Sequence, residues 1–530
     1  MEALSGPEAA PGSAPGPDAD RAIVFIGFMA AGKSTALAAA REAGLKTTEA
    51  DQLIAAELRT PIAEFFEREG EAAFRRREEG VVVPLLERAG GGEAIALGGG
   101  SVLVPAIREA LRRHLVVWLQ VDVEEAWRRA RRSDRPLARD HDAFAALFPE
   151  REPLYEQLAD AVVPQGEVET VGGAMPSLLG LLQLPTGARM IWATSASGEY
   201  PVFVGPGILG GGYWPLAGRR FCVTDTIVGR LYGDRLEPLA GRIEVEPGEQ
   251  AKTLAEAERL LRRLAELGMM RSDHLVALGG GVVGDLGGFC AHTYQRGVEL
   301  VQVPTTLVAQ VDSAYGGKTG IDLPEAKNYV GAYHLPAAVL TDTGTLQTLP
   351  REELAAGFVE VVKTALIAGE PLWSRVRQLA ELGPEQLAPI VFDCARTKLE
   401  IVASDERDSG RRAVLNLGHT VGHAIEAASG YRRYRHGEAV GLGLLAALRL
   451  SEAGDLRDSL SELLSSHRLP TRLDPSIPVD EVLQVIGRDK KRGAEGVGWV
   501  LLERPGVIRW GQRMAEDRVR QAVSELQAQR

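Results

Sequence analysis

One octapeptide constrains this chain more than any other stretch: Gly27-Phe28-Met29-Ala30-Ala31-Gly32-Lys33-Ser34, a match to G-x-x-x-x-G-K-[ST]. The apolar run Ala22-Ile23-Val24-Phe25-Ile26 precedes it, and an alanine-rich stretch over 35–43 follows. Five apolar residues closed by a glycine loop and followed by helix formers read as strand, turn and helix. In that setting the loop's N–H groups cradle phosphate oxygens, Lys33 reaches the β and γ phosphates, and the Ser34 hydroxyl is offered to Mg²⁺. Gly27, Gly32, Lys33, Ser34 and Thr35 are the candidate ATP-binding residues.

Strand-like runs recur at 94–97, just before Gly98-Gly99-Gly100, and at 115–119. Helical patterns separate them, which predicts a parallel α/β domain over residues 21–164. Residues 1–20, made of Pro, Ala, Gly and acid, read as a disordered leader. The Gly- and Pro-rich stretch 165–190 reads as a linker with one short helix. A second α/β pattern, with strands at 221–223 and 274–278, spans 191–345. From 346 to 530 the chain reads as mainly helical, for instance over 438–453. A length of 530 residues holds three or four such domains.

A net charge of −12 with no lysine-rich run argues against a nucleic-acid partner. Cys222, Cys290 and Cys394 stand far apart and form no metal or redox motif, which fits reduced thiols in a cytoplasm. No apolar run approaches the roughly 18 residues of a membrane span.

The first α/β region resembles shikimate kinase over about 21–164. The resemblance rests on Glu49-Ala50-Asp51, Gly70-Glu71-Ala72-Ala73-Phe74-Arg75-Arg76-Arg77-Glu78, Gly98-Gly99-Gly100, Arg135-Pro136-Leu137 and Arg151-Glu152-Pro153-Leu154-Tyr155. It implies that Asp51 holds the substrate hydroxyls and orients the attacking one. Arg75 and Arg151 would clamp the carboxylate, Gly99 and Gly100 would pack the ring, and Arg135 would close over the phosphates. Two arginine forks suit a small hydroxylated carboxylate, and a mobile arginine stabilises charge on a transferring phosphoryl group. The chain departs from the family twice: Ala30 replaces a glycine, and Glu49 replaces an aspartate that helps place Mg²⁺.

Gly279-Gly280-Gly281-Val282-Val283-Gly284-Asp285 also follows a strand pattern and satisfies G-x-G-x-x-G. By itself this match is unspecific, and the usual acid about twenty residues downstream is missing. The surroundings resemble 3-dehydroquinate synthase over about 195–515. The motifs are Pro247-Gly248-Glu249-Gln250-Ala251-Lys252, Gln295-Arg296-Gly297, Pro304-Thr305-Thr306-Leu307, the stretch from Val311 to Gly320, Lys327-Asn328, Glu360-Val361-Val362-Lys363, the stretch from Leu415 to Glu426, His436-Gly437-Glu438 and Asp489-Lys490-Lys491.

This second resemblance implies an α/β NAD-binding domain followed by a helical domain that binds metal and substrate. Asp225, Glu249, Lys252, Gly280, Gly281, Asp285, Thr305 and Thr306 would hold NAD. Glu360, His419 and His436 would hold Zn²⁺ or Co²⁺. Arg296, Asp312, Lys318, Lys327, Asn328, Lys363, Lys398, Arg412, Asn416 and His423 would contact substrate, with Lys490 or Lys491. Of these, Lys318, Lys363, Asn416 and His423 would be catalytic, alongside Lys33, Asp51 and Arg135 in the kinase. A homodimer through the synthase half is implied as well.

Spacing alone gives a different metal set. His419 and His423 lie four apart on a helical stretch and would pair as ligands. The remaining histidines, His114, His141, His274, His292, His334 and His467, read as hydrogen-bonded core residues. Composition and spacing give a P-loop kinase and an NAD-metal α/β enzyme; the two resemblances together imply a bifunctional enzyme of aromatic amino-acid biosynthesis. The rivals are another sugar-phosphate cyclase in the second half, opposed by Asn416 and His423; a metal-dependent polyol dehydrogenase, which has little use for so many anion-facing lysines; and a non-catalytic nucleotide module in the first half, opposed by Lys33, Asp51 and Arg151.

Overall fold

The computed structural model describes residues 20–131, 140–166, 170–492 and 497–527, with no side chains over 488–492. Residues 1–19 of the expected 1–20 leader, the expected lid residue Arg135, and the side chains of Lys490 and Lys491 lie outside the described residues. The chain divides into two compact units. One takes the described residues up to Thr194 together with Glu199–Ala217, and the other takes Ser195–Gly198 and the chain from Gly218 onward.

In the first unit the strands are β1 (Ile23–Ile26), β2 (Lys46–Glu49), β3 (Glu93–Ala96), β4 (Leu115–Gln120), β5 (Ala161–Pro164), β6 (Arg189–Ser195) and β7 (Gly198–Gly205). They lie side by side in the order β2-β3-β1-β4-β5-β6-β7. β1 is parallel to both neighbours, with Val24 opposite Ile95 on β3 and Val116 on β4. All four of its residues are buried, as befits a strand covered on both faces. Because β3 flanks β1 on one side and β4 on the other, the chain reverses direction of growth at β1, and the crevice at its carboxyl end receives the 27–34 loop. The helix Lys33–Glu42 starts there, two residues ahead of the expected 35, because Gly32 in the left-handed region (φ 87°) caps it. Within 165–190, the helix Val171–Leu181 buries Val171, Ala174, Met175, Leu178 and Leu181. β6 then pairs in parallel with β5, Met190 opposite Ala161.

The second unit's strands are β8 (Arg220–Asp225), β9 (Gly241–Val245), β10 (His274–Gly279), β11 (Glu299–Pro304), β12 (Lys318–Leu323), β13 (Ala326–Tyr333), β14 (Ala338–Asp342), β15 (Trp499–Arg504) and β16 (Val507–Gln512). Five of them form the order β14-β11-β10-β8-β9. β10 is wholly buried and runs parallel to β8 and β11. Here the order reverses between β8 and β10, so the glycine loop after β10 sits at the crevice. β12 and β13 form an antiparallel hairpin.

From Arg351 the chain is largely helical: Arg351–Ala368, Pro384–Ser404, His419–Ala428 and His436–Leu450 carry most of the candidate residues. The antiparallel pair β15 and β16 is an exception to the helical expectation. Its turn, Pro505-Gly506, was the legible signal for a hairpin. No described helix is long and apolar enough to cross a membrane. All three cysteines are unpaired and buried, and burial pushes the Cys222 and Cys290 thiols up to about 12.

Four histidines are buried or hydrogen-bonded to backbone as expected: His114, His274, His334 and His467. Two are not core residues. His141 opens a helix at the surface, 3.0 Å from Glu124, and His292 is exposed at the end of another.

Candidate functional site

In the first unit the loop after β1 folds over its own lysine. Lys33 Nζ donates to the carbonyls of Gly27 (2.8 Å) and Phe28 (2.9 Å), and Ser34 Oγ lies 3.3 Å from Glu49 Oε1. Ala30 adopts φ 61°, a left-handed conformation that costs a non-glycine residue roughly 1–2 kcal/mol.

Asp51 stands in the first turn of the helix Ala50–Leu58. The glycines at 98–100 form the facing wall. A Cβ at Gly98 would lie 2.9 Å from Asp51 Oδ1, one at Gly99 3.2 Å from Met29 N, and one at Gly100 2.0 Å from Arg75 Nη2. Arg75 Nη1 donates to Glu78 Oε2 at 2.6 Å, and Glu78 in turn accepts from Ser101 Oγ at 2.6 Å. Glu78, three residues from Arg75 on one helix face, is a buried support that the i, i+3 spacing could have disclosed.

Arg151 is 2 % exposed, its guanidinium 5.8 Å from the Phe28 ring centroid, and its Nε is buried with no hydrogen-bond partner. Tyr155 donates to Gly99 O, and both Arg151 and Arg75 act electrostatically on its phenol. Asp51, Arg75, Gly99, Gly100 and Arg151 therefore gather beside the phosphate loop. An unpartnered buried arginine nitrogen is suited to an anionic oxygen.

In the second unit, Gly280 caps the helix Gly281–Thr293, whose N-terminus faces the crevice with the positive end of its dipole. A Cβ at Gly280 would lie 2.9 Å from Thr306 Cγ2. Thr305 N–H donates to Gly279 O at 3.0 Å, while its hydroxyl is buried without a partner. Lys252 bonds Asp285 Oδ2 at 2.8 Å and lies 3.6 Å from Glu249. Burial works to lower Lys252, but those two carboxylates hold it above the usual lysine range. The orphan hydroxyl, the helix end and the small loop fit a dinucleotide. Asp225 spends its carboxylate differently, capping a helix by accepting from Ile227 N and Val228 N, each at 2.9 Å.

The metal candidates converge from three helices. Glu360, in the helix Arg351–Ala368, is 0 % exposed. His436 Nε2 lies 3.2 Å and His419 Nε2 3.7 Å from its Oε1, and Lys363 Nζ lies 2.6 Å from its Oε2. Neither oxygen has a hydrogen bond of regular geometry, although Lys363 and His436 stand close to them. Burial alone would raise Glu360; Lys363, His419 and His436 hold it well below the usual range. Burial, with Lys363 nearby, pushes His419 down to about 3, which leaves a neutral ring with a lone pair to give. His419 Nδ1 meets Leu417 O at 3.2 Å. Two buried carboxylate oxygens without regular hydrogen bonds, faced by two imidazoles, fit a divalent ion. The ligand atoms of His419, His423 and His436 also lie within 4.8 Å of one another, so two donor sets share this corner. His423 differs from Glu360 in being exposed.

Close helix packing fixes this corner. A Cβ at Gly437 would lie 1.8 Å from Ala356 O, and one at Gly443 1.9 Å from Gly418 O. Only glycine lets those backbones touch.

Beside the metal corner runs a buried charge chain. Lys363 Nζ lies 3.2 Å from Asp312 Oδ2, and Lys398 bonds Asp312 through both its carboxylate and its carbonyl. Asp312 sits in a π-helical turn, Ala309–Ser313, a local widening frequent at functional sites. Burial would raise its carboxyl, but Lys363 and Lys398 hold it well below the usual range. Asn416, His419 and His423 line a cavity of about 380 Å³ with Val485, Ile486 and Val500.

Around these residues Arg412 is buried, donating to Glu406 O at 2.6 Å, and Lys318 pairs with Asp408. Lys327 Nζ sits 4.5 Å from the Tyr431 ring centroid and 3.8 Å from Glu249. Asn328 takes φ 54° on the β12–β13 hairpin. Arg296 is not brought in. It lies exposed where the Gly281–Thr293 helix ends and β11 begins, at the opposite end of the parallel strands from the glycine loop. Thirteen residues of helix put about 20 Å between those ends.

Comparison with known proteins agrees with this division. The family model described as "3-dehydroquinate synthase N-terminal" matches residues 242–356, and the C-terminal one matches 357–492. The curated 3-dehydroquinate synthase of Halorhodospira halophila is 42 % identical over 334 residues, covering 60 % of this chain and 94 % of the relative. That of Symbiobacterium thermophilum is 42 % identical over 347 residues, covering 59 % and 97 %. This chain belongs to the 3-dehydroquinate synthase family. Ahead of that region, the shikimate kinase family model matches residues 29–171. The chain is thus a bifunctional shikimate-pathway enzyme, a kinase and a synthase on one polypeptide. Among solved structures, the 2-epi-5-epi-valiolone synthase of Streptomyces hygroscopicus with NAD⁺ and Zn²⁺ bound is 25 % identical, with a TM-score of 0.57 over 63 % of this chain and 99 % of that one.

Proposed function

We propose that the first unit transfers the γ-phosphoryl group of ATP to shikimate through Lys33, Asp51, Arg75 and Arg151, with Mg²⁺ at Ser34. Lys33, whose ammonium is held by loop carbonyls, would exchange them for phosphate oxygens, which bind it more strongly. Asp51 accepts the proton of the attacking hydroxyl, Arg75 is braced by Glu78, and the Arg151 Nε takes a carboxylate oxygen. Domain limits of 21–164, 191–345 and 346–530 belong to this reading. So do a cytoplasmic location, supported by three unpaired thiols, and a homodimer through the synthase half, which rests on the family resemblance alone.

The second unit, on the same proposal, converts 3-deoxy-D-arabino-heptulosonate 7-phosphate to 3-dehydroquinate with release of phosphate. NAD at the β10 loop would accept and return a hydride, and Zn²⁺ or Co²⁺ at Glu360, His419 and His436 would polarise the oxidised alcohol oxygen. Asp312 keeps Lys363 and Lys398 charged and aimed, so that they and Arg412 hold the anionic groups. His423, exposed on the cavity wall, moves a proton at its ring nitrogen, and Asn416 orients a hydroxyl. The observation that carries this reading is Glu360, whose two oxygens are buried without hydrogen bonds between His419, His436 and Lys363.

The purified chain should release ADP only when shikimate is present and release phosphate from the heptulosonate phosphate. A chelator should abolish the second reaction in the presence of NAD. Phosphate release from some other sugar phosphate alone would replace the synthase assignment with a different cyclase.

A further inference from the structure

His436 has a carboxylate on each side of its ring. Nε2 lies 3.2 Å from Glu360 Oε1, and Nδ1 lies 3.3 Å from Glu426 Oε2. A neutral imidazole has one N–H, and Glu360, left alone with it, would draw that proton to Nε2. A ring in that tautomer offers no lone pair between Nε2 and Glu360. A ring with the proton on Nδ1 does.

We propose that Glu426 is a positioning residue for the metal centre: it accepts the Nδ1 proton of His436, fixes the ring's angle and tautomer, and turns the Nε2 lone pair toward Glu360. This rests on the reading of Glu360, His419 and His436 as metal ligands.

The helix His419–Ala428 is built for the task. Glu426 follows His419 by seven residues and His423 by three, so all three share one face. Glu426 is 6 % exposed. Its carbonyl accepts from Tyr431 N at 2.8 Å and Ser429 Oγ at 3.0 Å, which ties down the helix end that carries it. His436 is the first residue of the next helix, and a buried carboxylate that accepts from Nδ1 makes the ring a stronger electron-pair donor at Nε2. Leu417 O performs the corresponding service for His419 at Nδ1, so each ligand histidine has an acceptor behind it.

The test uses the full chain, stripped with a chelator and reloaded. Zn²⁺ affinity is measured by competition with a chromophoric chelator, and the visible bands of the Co²⁺-loaded protein report the ligand geometry. Circular dichroism and NAD binding serve as controls for folding. Glu426→Ala should weaken Zn²⁺ about 10- to 100-fold and shift the Co²⁺ bands, and Glu426→Asp, which retracts the carboxylate, should fall between it and the parent. His436→Ala should lose the metal. Glu426→Ala with parental affinity and unchanged bands, beside a metal-free His436→Ala, overturns this inference and leaves the ligand reading standing. A metal-replete His436→Ala overturns both. Should Glu426→Ala not fold, Glu426→Asp decides: weakened binding upholds the inference, unchanged affinity and bands overturn it. A lowered melting point with unchanged affinity marks a merely structural role and also overturns it.

Discussion

Replacing Asp312 by Asn leaves the shape of the side chain and removes its charge. The side chains of Lys363 and Lys398 are 2 % and 8 % exposed, and Asp312 faces both. Removing one partner of a buried ion pair while the other stays buried costs about 3–5 kcal/mol. Glu360 remains beside Lys363, so Lys398 bears most of the loss. At about 2.1 cal/mol/K per residue over a unit of roughly 300 residues, that lowers the unit's midpoint by about 5–8 °C. The loss carries a pH signature. Burial already lowers Lys398 from its ordinary value despite Asp312, and without Asp312 it falls further. A folded-state pKa below the unfolded one means the unfolded chain binds the extra proton, so stability rises as pH climbs from the folded value toward the unfolded value near 10.4. Urea unfolding of Asp312→Asn should therefore show a deficit at pH 7 that shrinks by pH 9.5. A deficit below about 1 kcal/mol, or one independent of pH, refutes the argument.

Lys33→Ala should abolish shikimate-dependent ADP release while phosphate release from the heptulosonate phosphate is unchanged. Ala30→Gly relieves the left-handed alanine at φ 61° against a small entropic loss, a net gain of about 0.5–1 kcal/mol and a midpoint for the kinase transition raised by about 2–3 °C; an unchanged or lowered midpoint contradicts it. His419→Ala should strip the metal, whereas His423→Ala should keep near-stoichiometric metal by elemental analysis and lose turnover. A metal-free, folded His423→Ala beside a metal-replete His436→Ala would exchange His436 for His423, leaving Glu360, His419 and His423 as the ligand set.

What was legible in the sequence was local. The apolar run at 22–26 and the Gly-Lys-Ser turn predicted β1 and its helix to within two residues, because a buried parallel strand has no polar positions to confuse it. The β12–β13 hairpin escaped notice since β13 has no buried residue and lacks the apolar alternation that marks a strand. Individual site residues could be named by motif, but their partners could not. Lys398 reaches Asp312 across 86 positions, and no spacing rule joins them. Glu426 stood inside the motif that named His419, yet its partner lies on the next helix. Histidine spacing pointed to His419 and His423 as a pair, where the fold adds Glu360 and His436 at comparable range.

The contacts at Gly437 and Gly443 set a tolerance on the metal corner that no ligand residue sets for itself. Three helices meet there backbone to backbone, and a single methyl group at either glycine would have to push a neighbouring carbonyl aside. Such a wedge spreads Glu360, His419 and His436 together, because each is borne by one of the spread helices. In a saturation screen scored by metal content, these two hydrogens would register as strongly as the ligands themselves. The apolar wall residues Val485, Ile486 and Val500 carry no such constraint.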